Sequence, residues 1–233
     1  MAVIPRFMLT HECFEAAEGR PPKGSTIPVF RSAFVENWLG RAHPALPVLW
    51  GVPSAVAAIW YYATHGGTAL HGLGLVGAGW LFFSLFEYVL HRFIFHRTFP
   101  DTEQGRLDEF LLHGYHHAYP SDKMRLVMPV MIAWPLAVGF IALYTLLFGF
   151  VDAMPLYAGT ALGYIAYDEL HYYTHHARPT TRLGRWFKQY HLLHHHDADV
   201  ARFGVSSPLW DFVFRTYRSN SQRRRNTRSA AAA

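Results

Sequence analysis

Four stretches of the chain are almost free of charge: Leu46–Thr64, Leu70–Leu90, Val127–Phe150 and Met154–Leu170. Each approaches the ~20 apolar residues a helix needs to cross a bilayer, the last being the shortest. Glycines and prolines (Pro53, Gly72, Gly74, Gly77, Gly79, Pro129, Pro135, Gly163) interrupt them more often than a soluble core helix accepts. Membrane helices tolerate such residues because neighbouring helices re-satisfy the freed backbone groups. No polar face is left to meet water, which argues against four buried helices of a soluble bundle. The pattern predicts four transmembrane helices, joined into two hairpins by short turns around Gly66–Gly67 and Asp152.

Charge then orients the hairpins. Five of the 21 Lys and Arg residues lie at 6–41, five at 92–125 and eleven at 178–228. None falls between Ala42 and His91 or between Leu126 and Ala177, so both short turns lack positive charge. The positive-inside tendency therefore places both termini and the 91–125 segment in the cytoplasm. The first 40 residues show no secretory signal, and the single cysteine, Cys13, suits a reducing compartment. A sequence pI of about 9.4 fits contact with anionic headgroups rather than nucleic acid. The expected organisation is a cytoplasmic or interfacial segment over 1–45, a membrane domain over 46–217 and a basic, disordered tail over 218–233. The localisation that follows is a multi-pass protein of the bacterial inner membrane or the endoplasmic reticulum.

Twelve of the sixteen histidines fall in four groups on that cytoplasmic side: His91 and His96; His113, His116 and His117; His171, His175 and His176; His191, His194, His195 and His196. So ordered an excess of imidazole points to metal, and about ten ligands exceed what one ion holds. Residues three and four apart share a helix face, so His113 pairs with His117, His171 with His175 and His191 with His195. His91 and His96 are five apart and require a helix end or local unwinding. The simplest partition puts His91, His96, His113, His117 and His194 on one metal. His116, His171, His175, His191 and His195 then hold the other. His176 and His196 point away as outer or surface residues, and His11, His43, His65 and His71 read as ordinary hydrogen-bonding side chains. Glu87, Glu109 and Asp168 precede ligand histidines by three or four residues and could accept their second N–H.

Ligand type alone leaves iron, copper, nickel and zinc open. A hydrolytic zinc usually takes three protein ligands and an open position, not five. Oxygen activation by iron beside a membrane surface suits the crowded imidazoles better. Two runs carry a resemblance: Glu87-Tyr88-Val89-Leu90-His91-Arg92-Phe93-Ile94-Phe95-His96 and Leu111-Leu112-His113-Gly114-Tyr115-His116-His117. Together with Asp122–Pro129 and the ending Phe203–Tyr217, the chain from about Trp80 to Tyr217 resembles the fatty acid hydroxylase superfamily, and in particular its fatty acid 2-hydroxylase branch.

The resemblance implies an all-α integral membrane monooxygenase, four spans in two hairpins under a cytoplasmic helical cap that carries a histidine-ligated dimetal site. It implies two iron ions, though zinc can occupy such a site in isolated protein. It also implies hydroxylation by O2 at C2 of an acyl chain, free or carried by ceramide or another sphingolipid. Eukaryotic members often carry a fused cytochrome b5 domain with a His-Pro-Gly-Gly motif. Here only His43-Pro44-Ala45-Leu46 stands, so electrons are expected from a separate donor such as cytochrome b5 or ferredoxin. Tyr164 and Asp168, one turn apart before the third histidine group, are the candidates for holding the acyl headgroup. Other lipid oxidases of the superfamily, acting on sterols, carotenoids or ether lipids, share such boxes. A metal transporter would instead place polar ligands at mid-membrane, and a structural zinc scaffold would be redox-silent.

Overall fold

The computed structural model describes residues 4–38, 40–196 and 201–218. The basic tail expected over 218–233 lies, beyond Arg218, outside these described residues. The elements are α1 (His11–Ala17), α2 (Ala33–Trp38), α3 (Leu46–Thr64), α4 (Ala69–Leu90), α5 (Glu103–Glu109), α6 (Tyr115–Ala118), α7 (Val130–Phe148), α8 (Phe150–His176), α9 (Arg182–His194) and α10 (Leu209–Val213). Among the described residues there is no strand, only one isolated bridge between Leu9 and Phe30.

Helix starts differ according to their surroundings. Three short helices of the polar segments begin at threonines whose hydroxyls take an orphan amide: Thr10 from Cys13, Thr102 from Gly105 and Thr181 from Gly184. The long apolar helices α3, α4 and α7 have no side-chain cap. Both reversals rest on left-handed glycines, Gly66 at φ 86° after α3 and Gly149 at φ 80° between α7 and α8. The second reversal therefore occurs at Gly149 rather than around Asp152. Asp152 lies in the first turn of α8, where a carboxylate favours the helix dipole.

Among the described residues, three helices are long and apolar enough to cross a membrane: Leu46–Thr64, Ala69–Phe95 and Val130–Phe148. The fourth expected span lies within α8, the longest helix, which falls short of that apolarity. The reason is its position. Helix α8 packs against α3, α4, α7 and α9, and a helix enclosed by others need not be as apolar as those that surround it. It is built for close approach. A Cβ on Gly159 would lie 2.0 Å from the Val76 carbonyl, and one on Gly79 would lie 2.0 Å from the Leu156 carbonyl. The two glycines thus bring α4 and α8 into backbone contact, the small-residue packing that membrane helices use.

The N-terminal residues fold onto the polar end. Leu9, Cys13, Ala16, Ile27 and Val29 form a buried cluster with Leu107, Phe110, Tyr115 and Tyr119. Burial pushes the Cys13 thiol up to about 12, so it packs as an apolar group. Glu36 accepts from the amides of Val29 and Phe30 and pairs with Arg125, whose Nη1 also donates to the Gly40 carbonyl at 2.7 Å.

Gly159→Val is expected to separate α4 from α8 and to lower the melting temperature in detergent, with a cost of at least about 1–3 kcal/mol for overpacking. Gly74→Ala, whose Cβ meets nothing within 4 Å, should leave the melt within a degree or two of the parent.

Candidate metal centre

The first histidine pair shows the backbone adapting to the site. A span of five residues exceeds one α-helical turn, and the chain widens into a π-turn over His91–Phe95. The His96 amide donates to the His91 carbonyl at 3.1 Å, an i to i+5 closure that returns both imidazoles to one face. Their Nε2 atoms lie 3.2 Å apart. A second π-turn, Phe110–Gly114, links α5 to α6 and brings His113 Nε2 to 3.1 Å from His91 Nε2. His194, the last residue of α9, sets its Nε2 3.1 Å from that of His96.

His91, His96, His113 and His194 thus present four ring nitrogens within 4.8 Å of one another. Beside them His116, His171, His175, His191 and His195 form a second such group. Its Nε2 contacts are 2.9 Å for His116 with His171, 2.9 Å for His175 with His191 and 3.0 Å for His191 with His195. His117, expected with the first group, stands between the two. Its ring centre lies 4.7 Å from that of His113 and 4.3 Å from that of His195. Spacing within one helix pairs His117 with His113 but cannot reveal the approach of α9 from the other side. His196 is exposed, and His176 stacks on Tyr172 at 4.7 Å.

The donor set fits metal. His91 Nδ1 donates to the Phe203 carbonyl at 2.6 Å and His194 Nδ1 to the Ala201 carbonyl at 3.0 Å. A neutral imidazole that donates at Nδ1 carries its lone pair at Nε2, so these lone pairs point into the group. Metal–nitrogen bonds of about 2.0–2.1 Å place neighbouring ligand nitrogens roughly 2.8–3.4 Å apart for angles at the metal between about 90° and 109°. The contacts of 2.9–3.2 Å across both groups lie at that spacing.

The carbonyls that orient His91 and His194 belong to a loop that sequence reasoning did not single out. Arg202 between them is buried and left-handed at φ 64°, an uncommon conformation for a side chain of this size. Two buried carboxylates clamp the loop. Asp211 accepts from the amides of Phe203 (2.9 Å) and Gly204 (2.8 Å), from Tyr190 Oη (2.9 Å) and from Thr216 Oγ1 (2.7 Å). Glu87 accepts from the amides of Val205 (2.7 Å) and Ser206 (2.8 Å) and from the Ser206 hydroxyl. Glu87 therefore acts on the loop and not, as expected, on His91 directly. Asp168 accepts from the Met128 amide at 3.2 Å, and Glu109 is exposed. Helical spacing located these carboxylates but not the loop and turn that take their oxygens. In the second group the Nδ1 atoms of His116 and His191 are buried without a hydrogen-bond partner, so the clamp serves one group more than the other.

Burial keeps the imidazoles neutral. It pulls His96 down to about 4 and His194 to about 3, and it lowers His113, His116 and His191 well below the ordinary imidazole range, with neighbouring histidines adding to the effect on those three. Neutral nitrogens are the form that ligates.

His113, His116 and His171 also line a largely apolar cavity of about 550 Å³. Phe86 and Leu90 of α4, Ile132, Ala133, Leu136 and Phe140 of α7, and Tyr157, Ala161 and Tyr164 of α8 form its walls. Asp168 lines it one turn from His171, and Tyr164 one turn further down. Asp168 Oδ1 and the Tyr164 hydroxyl are both buried and face each other, with no further hydrogen-bond partner.

Residues 76–216 match the family model described as fatty acid hydroxylase. The chain belongs to the fatty acid hydroxylase family. It is 37% identical over 187 residues to the dihydroceramide fatty acyl 2-hydroxylase FAH1 of Arabidopsis thaliana, covering 80% of this chain and 78% of that one. The ceramide very long chain fatty acid hydroxylase SCS7 of Saccharomyces cerevisiae is 40% identical over 72% of this chain, and the Homo sapiens fatty acid 2-hydroxylase 32% identical over 84%. This chain spans 45% of the length of the yeast relative and 58% of the human one. The solved structure of full-length scs7p, in which only the hydroxylase domain is visible, superposes with a TM-score of 0.75 at 31% identity, covering 89% of this chain and 78% of that one.

Asp211→Asn would set its amide nitrogen against either the Phe203 or the Gly204 amide, leaving a buried donor unsatisfied at ~1–3 kcal/mol. The variant is expected to lose bound metal roughly 10–100-fold more readily in a chelator titration. Acid should act through the histidines. Unfolded histidine takes up a proton near 6.5, whereas folded His96 and His194 refuse it until about 4 and 3. The unfolded state then binds more protons, so metal-free protein should lose stability as pH falls from about 6.5 toward 4. Thermal melts across that range check the sign.

Proposed function

We propose that this chain is a membrane fatty acid 2-hydroxylase, using O2 to hydroxylate C2 of an acyl chain, free or amide-linked in a ceramide or other sphingolipid. The observation that carries the reading is the joining of two histidine groups to one apolar cavity through His113, His116 and His171. Two iron ions, held by the ten histidines with His117 between the groups, would supply the oxygen-activating redox chemistry that no side chain offers. Reducing equivalents come from a separate electron-transfer protein such as cytochrome b5 or ferredoxin.

The protein's own residues bind and position. The walls from α4, α7 and α8 desolvate the acyl chain, which enters from the bilayer. Asp168, with one oxygen committed to the Met128 amide and the other facing the Tyr164 hydroxyl, holds the polar end of the substrate beside His171, and Tyr164 continues that wall. Such anchoring sets C2, rather than a more remote carbon, against the metals. In the bilayer, α8 is the fourth span, enclosed by the three more apolar ones. The charge pattern sets the histidines and both termini in the cytoplasm. The boundaries are those of the charge map: an N-terminal segment over 1–45, the hydroxylase domain over 46–217 and a basic tail over 218–233.

Iron-loaded protein supplied with reductant, 18O2 and an N-acyl sphingoid lipid should give a product with one labelled oxygen at acyl C2 by mass spectrometry. Label elsewhere on the lipid, or on a sterol or carotenoid alone, would defeat the reading. His194→Ala should lower bound metal and cut product more than roughly 100-fold, beyond the loss seen when an orienting partner is removed. Asp168→Ala should keep its metal while turnover falls up to about 100-fold through misplacement of C2. Tyr164→Phe tests the adjoining hydroxyl in the same assay.

A further inference from the structure

The acyl cavity has a floor. Helix α8 contributes Tyr157, Thr160, Ala161, Tyr164, Tyr167, Asp168 and His171 to the lining, one continuous stripe at helical spacing. The antiparallel α7 contributes Ile132, Ala133, Leu136, Ala137 and Phe140, and Pro129 stands at its start. The cavity thus runs along the helices from Val29, Phe30, Tyr115 and Arg125 of the polar end, past the histidines, to Tyr157, Thr160 and Phe140 at the far end.

That far end is fastened by two hydrogen bonds between helices. Tyr157 donates to Ser54 Oγ of α3 at 2.8 Å, and the Thr160 and Tyr144 hydroxyls meet at 2.8 Å between α8 and α7. Phe140 packs edge-on against Phe82 at 5.7 Å and Phe86 at 5.1 Å. Below the floor, Ala153, Met154, Ala158, Ala58 and Tyr62 belong to a buried cluster that leaves no continuation of the lining. Above it, Ala133, Ala137 and Ala161 keep the walls apart by being small.

From these positions we infer that Tyr157, with Phe140 and Thr160, sets the length of acyl chain the enzyme accepts. His171 and Tyr157 are fourteen residues apart on one helix, a rise of about 21 Å. An all-trans chain advances roughly 1.26 Å per carbon, from a bond of about 1.5 Å and an angle near 111°. The space between histidines and floor therefore takes about sixteen carbons beyond C2. The preferred substrates are long-chain acyl lipids of about sixteen to eighteen carbons, and chains of very long length do not fit below the histidines. The inference rests on the proposed reading that C2 lies at the histidine end.

Two readouts test it on the full chain in lipid nanodiscs. One is displacement of a fluorescent fatty acid by N-acyl sphingoid lipids with saturated chains of twelve to twenty-six carbons, which needs no turnover. The other is the chain-length profile of 2-hydroxylated products from the iron-loaded protein. The parent should favour sixteen to eighteen carbons in both, with a fall of roughly tenfold or more by twenty-four, the scale at which a closed apolar pocket discriminates. Ala161→Phe raises the floor by one helical turn, about 6 Å or five carbons. It should raise the ratio of twelve- to eighteen-carbon lipid, in binding and in product, roughly tenfold or more. Ala137→Phe narrows the same level from α7 and should shift the profile the same way, and Tyr157→Ala should extend it toward longer chains. Parent-like profiles in all three variants, or twenty-six carbons handled as well as eighteen by the parent, would overturn the inference. If binding follows length as stated but no lipid is hydroxylated at C2, the ruler stands and the proposed reaction falls.

Discussion

Nine imidazoles hold their nitrogens within 4.8 Å of partners in two adjoining groups, and among the described residues no carboxylate joins either group. Such nitrogens can converge only if every ring stays neutral and every ring is held. Neutrality comes from burial, which pulls His96 and His194 far below the range in which histidine ordinarily takes a proton. Orientation comes from neighbours that fix which nitrogen carries the hydrogen. For His91 and His194 those neighbours are the two carbonyls on either side of a left-handed Arg202. That short loop is held in turn by Asp211 and Glu87, each oxygen of which is engaged by backbone or hydroxyl donors. The site is thus one chain of dependencies: carboxylate to loop amide, loop carbonyl to imidazole, imidazole nitrogen into the converging group.

The membrane-side architecture serves the same end. Helix α8 carries His171 and His175 at its polar end and must be surrounded so that those rings are buried, and it is surrounded by α3, α4 and α7 with α9 behind. A helix so enclosed has little lipid to meet. It can spend its surface on glycine for backbone contact with α4, on hydroxyls that bond across helices, and on a stripe that lines a cavity. Each of those choices lowers apolarity, which is why the most buried long helix reads as the least membrane-like.

That inversion marks where sequence reading succeeds and where it stops. Long apolar runs report lipid contact, so α3, α4 and α7 were legible to within a few residues. The enclosed helix was legible only as a short stretch, with its reversal misplaced from Gly149 to Asp152. Helical spacing grouped nine of the ten histidines as the fold does, because ligands three and four apart must share a face. It also demanded a departure between His91 and His96, which the π-turn supplies. It did not show that His117, set against His96, His113 and His194 of its expected group, also meets His195 of the other, and it missed that the oxygens of Glu87 are taken by a loop 118 residues away. The 201–206 loop carries no periodic signal, and Asp211 offers only an isolated carboxylate in an apolar run. Its four hydrogen bonds exist because tertiary packing brings Tyr190, Thr216 and the loop around it.

The two ends of the cavity make opposite demands on their polar groups. At the floor, every hydroxyl is paired with another across helices, so that surface offers a passing chain only apolar atoms. At the histidine end, the second Asp168 oxygen and the Tyr164 hydroxyl are buried with only each other to meet. Buried polar groups so sparsely partnered are costly, and they persist where something else supplies a partner. A ligand with a polar head and an apolar tail meets both ends at once. Its head satisfies Asp168 and its tail fills the stripe of α8, so the direction in which it lies is set by hydrogen bonding and the depth to which it reaches is set by volume. Position selectivity and length selectivity then arise from separate residues on one helix, Asp168 and Tyr157, about three turns apart, and can vary independently of the histidines that both of them serve.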